Sequence, residues 1–226
     1  MIRKPDILAK KLGLTFNQPP LFSMALTHRS AGARNNERLE YLGDSILGFV
    51  IADQLFQMFP DASEGDLSRL RASLVNQSSL AELARENNIG DYLILGSGEL
   101  KSGGYRRDSI LSDAVEAIMG ALFKDQGINV CQEWILNVFS KKLANLSLNS
   151  CEKDPKTQLQ ELMQSRKVDL PHYELIKTKG VEHEQLFSVV CTTTLTSESC
   201  TGTGVSRKRA EQSAAEKMLL LINKKK

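Results

Sequence analysis

The sequence is poor in the residues from which many metal and thiol sites are built. Its three histidines, His28, His172 and His183, lie far apart and make no ligand pattern. Its four cysteines, Cys131, Cys151, Cys191 and Cys200, include no CxxC pair, so their spacing indicates neither a zinc site nor a disulfide framework. No apolar run approaches the roughly 18 residues of a membrane span. Residues 1–6 lack the apolar stretch of a signal peptide. The Gly-rich stretch 96–107 lacks the Gly-Lys-Ser/Thr of a nucleotide-binding P-loop, so no nucleotide cofactor is expected. Together these absences predict a cytoplasmic, reduced protein with no membrane partner.

What is present is a balanced globular composition. The 226 residues suit one large or two small domains, and a hydrophobic content of 41% supports a real core. The net charge of +2 hides a split. Residues 1–150 carry 16 Lys plus Arg against 17 Asp plus Glu, and residues 151–226 carry 13 against 10. The basic excess of the second part suggests an anionic partner there.

The chemistry gathers around Glu37-Arg38-Leu39-Glu40-Tyr41-Leu42-Gly43-Asp44-Ser45. Glu37, Glu40 and Asp44 recur at offsets 0, 3 and 7, which fall on one face of a helix. Like charges stacked there repel, so a positive partner is expected over them. A second acidic pair, Asp113 and Glu116, sits at offset 3 inside Ser112-Asp113-Ala114-Val115-Glu116-Ala117-Ile118-Met119-Gly120-Ala121-Leu122-Phe123. That segment is apolar on nearly every side and reads as a buried helix. Unpaired carboxylates there would cost several kcal/mol or take up protons. A divalent cation shared by Glu40, Asp44, Asp113 and Glu116 removes the conflict, and hard oxygen ligands favour magnesium or manganese over zinc. Gly43 and Gly48 are the residues expected to let the two helices approach.

The 37–45 stretch resembles the signature of bacterial ribonuclease III. Leu111-Ser112-Asp113-Ala114-Val115-Glu116-Ala117 resembles that family's second acidic motif, and the likeness runs from about Lys11 to about Leu221. The resemblance implies an all-α N-terminal endonuclease domain, magnesium dependence with manganese able to substitute, 5′-phosphate and 3′-hydroxyl products, a homodimer, and ribosomal RNA precursors and structured messenger RNAs as substrates.

Taken in order, a short helix over 6–13 ends at Gly13, and Pro19-Pro20 opens another. His28 reads as a hydrogen-bonded structural residue. Asn35 or Asn36 can cap the acidic helix, which should run to about Phe59, before Pro60. Ser63-Glu64-Gly65-Asp66 resembles a capping box, and Glu64 is either a cap residue or a sixth carboxylate near the metal. Arg69 and Arg71 are open to phosphate contact or to solvent. The 96–107 stretch reads as a flexible loop, or as a basic loop touching phosphate through Lys101, Arg106 or Arg107. A last amphipathic helix is expected near 129–144.

Residues 145–155 have linker composition, and the character of the chain then changes. A helix over 156–164 is followed by Thr- and Val-rich strands at 173–179, 186–194 and 197–205 and a helix over 206–223. This α-β-β-β-α order resembles a double-stranded RNA-binding domain, and 202–215 (GTGVSRKRAEQSAA) resembles its most recognisable motif. Arg207, Lys208 and Arg209 place three cations at a helix N-terminus, where they oppose the dipole unless an anion answers them. Thr157, Gln158 and Glu161 on the first helix, and His183 between the first two strands, would meet successive minor grooves.

The expectation is therefore a multidomain chain. Residues 1–147 form an all-helical catalytic and dimerisation domain, 148–154 a flexible linker, and 155–226 an α+β RNA-binding domain. Asp44 and Glu116 are the expected indispensable residues, with Glu37 and Glu64 in support. Cutting both strands of a duplex needs two acidic clusters, which argues for a symmetric homodimer. Two other classes fit parts of the pattern. A non-catalytic duplex-RNA binder would be free to lose some of the six carboxylates. A nucleotide pyrophosphohydrolase would have no use for residues 154–224.

Overall fold

The structure, a computed structural model, describes residues 4–147, 154–180 and 185–224. The chain divides between Cys151 and Glu152 into two compact units.

The first unit is all helix: α1 (Pro5–Lys11), α2 (Pro19–Ala25), α3 (Glu37–Met58), α4 (Glu64–Val75), α5 (Gln77–Glu86), α6 (Ser97–Lys101), α7 (Asp108–Gln126) and α8 (Ile128–Ala144). Proline opens α1 and α2, where its missing N–H costs nothing. The Asn35 side chain accepts from the Glu37 N–H at 3.1 Å and starts α3. The helix then runs 22 residues and stops just before Pro60. Helix α7 lies in the middle of the unit and packs on α2, α3, α5 and α8. Ile110, Leu111, Ala114, Val115, Ile118 and Leu122 are all buried on it, as expected of a helix apolar on nearly every side.

The acidic helix α3 packs most extensively on α7. Gly43 permits this, since a Cβ there would stand 1.8 Å from the Glu116 carbonyl oxygen. Gly48 does not contribute, because a Cβ there would meet nothing within 4 Å. The second glycine of the crossing comes instead from α7: a Cβ on Gly120 would stand 2.1 Å from the Leu39 carbonyl oxygen. The 96–107 stretch also departs from a simple loop. It folds into α6 and a 3-10 turn at Gly104–Arg106. Gly103 supplies the left-handed conformation between them, with φ +77°. Glu99 then accepts from Arg107 at 2.8 Å and closes the stretch on itself.

The second unit comprises α9 (Pro155–Ser165), β1 (His172–Lys179), β2 (Leu186–Thr193), β3 (Thr196–Gly204) and α10 (Arg207–Lys224). The strands form one antiparallel sheet in the order β1-β2-β3. Helix α10 lies against the sheet, and Gly202 lets it settle, since a Cβ there would stand 2.2 Å from the Ala214 nitrogen. Ala210 and Ala214 present little bulk at this contact and are fully buried. Leu159, Cys191, Ala215, Met218 and Ile222 complete a small separate core. Among the described residues no helix is long and apolar enough to cross a membrane.

Candidate metal centre and nucleic-acid interface

The α3–α7 crossing brings the two acidic pairs together. One carboxylate oxygen each from Glu40, Asp113 and Glu116 lies within 4.8 Å of the others, all three residues being half-buried. Burial pushes the Glu116 carboxyl up to about 8, and the nearby charges of Asp44, Asp113 and Glu40 add to the shift. Burial likewise raises Asp113, while a hydrogen bond from Ser112 and the positive charge of Arg29 pull the other way. Glu40 is raised by burial and by its acidic neighbours. Three mutually repelling, half-buried oxygen donors are what a hard divalent cation relieves, so the residues present fit magnesium or manganese.

Asp44 lies one turn beyond Glu40 on α3 and is exposed, close enough to Glu116 to raise it. Glu37 lies one turn before Glu40 and pairs with Arg29 at 3.6 Å. A crevice of about 480 Å³ opens beside the cluster, with Glu37, Glu40, Glu99 and Asp113 around it and His28, Arg29 and Arg107 facing them. The segment carrying His28 and Arg29 is pinned from outside α3. The His28 N–H donates to the Ile94 carbonyl at 3.0 Å, and the Ile94 N–H donates to Leu26 at 2.9 Å. His28 Nδ1 accepts from the Ser30 N–H, a structural role. Glu64 stands apart from the three-carboxylate group. It heads α4 and accepts from the Ser68 hydroxyl at 2.7 Å. Ser63 does cap α4, accepting from the Asp66 N–H. Arg69 pairs with Asp66 at 2.5 Å.

Sequence alone does not point to Glu99. Its only signal was an acid inside a basic, Gly-rich stretch. Arg107 was one of three cations there, and the structure distinguishes it from Lys101 and Arg106 by its place on the crevice.

In the second unit, Arg207, Lys208 and Arg209 are exposed at the start of α10, with the Ser206 hydroxyl accepting from the Arg209 N–H at 3.2 Å. Thr157 and Glu161 are exposed on α9 and Gln158 is half-buried. His183 lies outside the described residues. A polar network holds the two helix starts side by side. Lys156 donates to Glu211 at 2.6 Å, Arg207 to the other Glu211 oxygen at 3.0 Å, and Gln212 to Asp154 at 2.8 Å. Burial alone would raise the Glu211 carboxyl, but the bonds from Lys156 and Arg207 outweigh it and hold it below its ordinary value. Sequence alone does not point to Lys156 or Glu211, since an i,i+4 Arg–Glu pair on α10 reads as ordinary surface support.

Two family models cover most of the chain. Residues 18–143 match a model described as Ribonuclease-III-like. Residues 155–222 match the double-stranded RNA binding motif. A helical carboxylate-bearing unit followed by a duplex-RNA-binding unit defines the class. The chain is 61% identical to Ribonuclease 3 of Methylococcus capsulatus over 219 residues, spanning 97% of this chain and 95% of that protein. It is 53% identical to Ribonuclease 3 of Hahella chejuensis, spanning 98% of each. The nuclease domain of ribonuclease III from Campylobacter jejuni, solved in work on flexibility in a region involved in its dimer formation, superposes with a TM-score of 0.61. That match has 40% identity and covers 62% of this chain and 99% of that one. The chain belongs to the ribonuclease III family.

Proposed function

We propose that the protein hydrolyses phosphodiester bonds of double-stranded RNA in a magnesium-dependent reaction, with Glu40, Asp44, Asp113 and Glu116 holding the ion. It is an endoribonuclease. The observation that carries the metal assignment is the approach of the Glu40, Asp113 and Glu116 carboxylates to within 4.8 Å. A magnesium ion held by these carboxylates would lower the pKa of a bound water and offset charge on the phosphoryl oxygens. Glu116, whose carboxyl burial and acidic neighbours raise, would ionise on sharing a cation with the cluster. Asp44, on the exposed side, orients water by accepting its hydrogens. Arg29 and Arg107 face the acidic wall of the crevice and hold the phosphate backbone against it. Water oxygen joins phosphorus, the bond to the 3′-oxygen breaks, and that oxygen takes a proton. The ends left are 5′-phosphate and 3′-hydroxyl. Glu37, paired with Arg29 on the crevice, supports the site, and manganese would replace magnesium.

Residues 1–147 cut and dimerise, 148–154 link, and 155–226 bind the duplex. Arg207, Lys208 and Arg209 answer phosphates, while Thr157, Gln158, Glu161 and His183 meet the minor grooves. Two chains pair through the helical unit so that each cuts one strand. The setting is the cytoplasm, and the substrates are ribosomal RNA precursors and structured messenger RNAs.

The test is cleavage of an end-labelled RNA, offered as a duplex and as a single strand, with magnesium, with EDTA, and with Glu116→Gln. Duplex-only cutting, lost in EDTA and in the variant, is the expected outcome. In calcium the variant should still bind the duplex. Binding without cutting by the unaltered protein in magnesium would instead favour a non-catalytic RNA binder.

A further inference from the structure

Cys191 and Cys200 are nine residues apart, and no spacing rule joins them. The sheet register does. Cys191 on β2 and Cys200 on β3 are direct cross-strand partners, next to Val190↔Thr201 and Val189↔Gly202. Directly opposed residues of an antiparallel ladder have Cα atoms about 4.5–5.5 Å apart and side chains on one face. A disulfide takes Cα separations of about 4.4–6.8 Å, so bridging the pair requires little backbone movement. Both thiols are free. Both face the side of the sheet that α10 covers, Cys191 fully buried and Cys200 half-buried against the same core. The row continues to Tyr173, the β1 partner of Cys191, whose ring carries the Lys156 ammonium 4.8 Å from its centroid.

We propose that Cys191 and Cys200 are a modification site: a dithiol that a small-molecule disulfide oxidises to an intramolecular bridge between β2 and β3. Cys200 is the more exposed thiol and reacts first. Its thiolate attacks one sulfur of the small disulfide and breaks that S–S bond. The mixed disulfide forms, and the expelled thiolate takes up the proton that Cys200 lost. The Cys191 thiolate then attacks the Cys200 sulfur, expels the second small thiol and hands it a proton in the same way. Two protein thiols lose two electrons and two protons, and one small disulfide becomes two thiols. Burial pushes the Cys191 thiol up to about 11 and raises Cys200 as well, so little thiolate exists at neutral pH. The site therefore responds to sustained oxidation and not to a brief pulse. The bond ties β2 to β3 beneath α10, and it leaves the exposed Arg207, Lys208, Arg209 and Thr157 outside the linked pair. Its effect is a firmer RNA-binding unit and not an off-switch.

The experiment uses the full chain, incubated at pH 8 with excess 2-hydroxyethyl disulfide, then alkylated and digested. No Lys or Arg occurs between 180 and 206, so trypsin leaves both cysteines on one peptide. That peptide is expected to be lighter than its reduced form by about 2 Da, with neither thiol alkylated. Cleavage after Glu198 should release the two halves only once a reductant is added. The melting transition of the RNA-binding unit should rise by about 5 °C or more and fall back on reduction. Both the bridge and the rise should vanish in Cys200→Ser, whose half-exposed site tolerates the change, and in Cys191→Ala. Duplex affinity should change by less than threefold on oxidation. A mixed disulfide that persists on Cys200 beside an alkylated Cys191, or a bridge to Cys131 or Cys151, would overturn the proposal. A bridge that forms without raising the transition, or that weakens duplex binding tenfold, would overturn its role as a staple.

Discussion

Glu116 sits where a carboxylate is hardest to keep charged, on a buried helix and facing three other acids. In the folded, metal-free chain it holds its proton until about pH 8, against an ordinary value of 4.5. Between those values the folded state binds more protons than the unfolded one, so stability falls as pH rises. Above pH 8 both states are ionised and the full cost is present. Glu116→Gln does not titrate. In EDTA at pH 8 it should therefore be more stable than the unaltered protein, by about 1–3 kcal/mol after allowance for partial solvent screening. Near pH 5 the difference should nearly vanish. Magnesium should restore the unaltered protein by mass action and leave the variant unmoved. Thermal melting at both pH values, with and without magnesium, reads all of this. A variant that is less stable at pH 8 in EDTA would mean that Glu116 packs as a structural group. The same substitution should abolish cutting, which makes it a stabilising change at the cost of function.

The site exists because two helices cross at two glycines. Gly43 and Gly120 each bring backbone to within a distance that a Cβ would occupy. Gly43→Ala should push α3 from α7 by an ångström or more. The expected loss is about 2–4 kcal/mol of stability and at least a hundredfold in cleavage at fixed magnesium. Gly48→Ala has open space around it and should do neither, or stabilise α3 slightly. Denaturant midpoints and duplex cleavage rates for the two variants make the comparison. The pair also marks what could be read beforehand. Periodicity placed Glu40 and Asp44 on one face, and Asp113 and Glu116 on another, because a helix turns by a fixed angle per residue. It could not say which glycine meets which helix, since contact across a crossing depends on tilt and register, which local sequence does not encode. Gly120, inside an apolar run, looked like any small core residue. The 96–107 stretch misled for a similar reason. Its glycines favour a loop in isolation, and the Glu99–Arg107 pair that folds it is a tertiary contact. In the second unit the strand pattern and the basic helix start were legible. The bond from Lys156 on α9 to Glu211 on α10 was not, because its partners are 55 residues apart. Arg207→Ala with Lys208→Ala and Arg209→Ala should reduce the slope of log affinity against log salt by about 2–3 and weaken every duplex alike. An unchanged slope would place the phosphate contacts elsewhere.

The Glu40, Asp113 and Glu116 cluster can serve one strand, yet a duplex has two, and the helical unit carries an exposed aromatic surface on α3. Tyr41, Phe49 and Phe56 lie within about a quarter-turn of one another along α3 and are 79%, 60% and 69% exposed. Aromatic side chains this open, on the helix that also bears Glu40 and Asp44, are costly to leave in water. A symmetric contact through α3 would bury them twice over and carry each chain's carboxylates in a fixed relation to the other's. Phe49→Asp with Phe56→Asp should therefore split the proposed dimer without touching the Glu40, Asp113 and Glu116 group. Sedimentation is expected to give about 50 kDa for the unaltered protein, twice its chain mass of 25.1 kDa, and the single-chain mass for the variant. The cutting pattern should change with it. A long duplex nicked on one strand, in place of paired cuts on both, would accompany a fall in rate of about tenfold or more. Dimeric sedimentation with paired cuts in the variant would move the interface off this face of α3. A monomer that still makes paired cuts would separate strand pairing from dimerisation altogether.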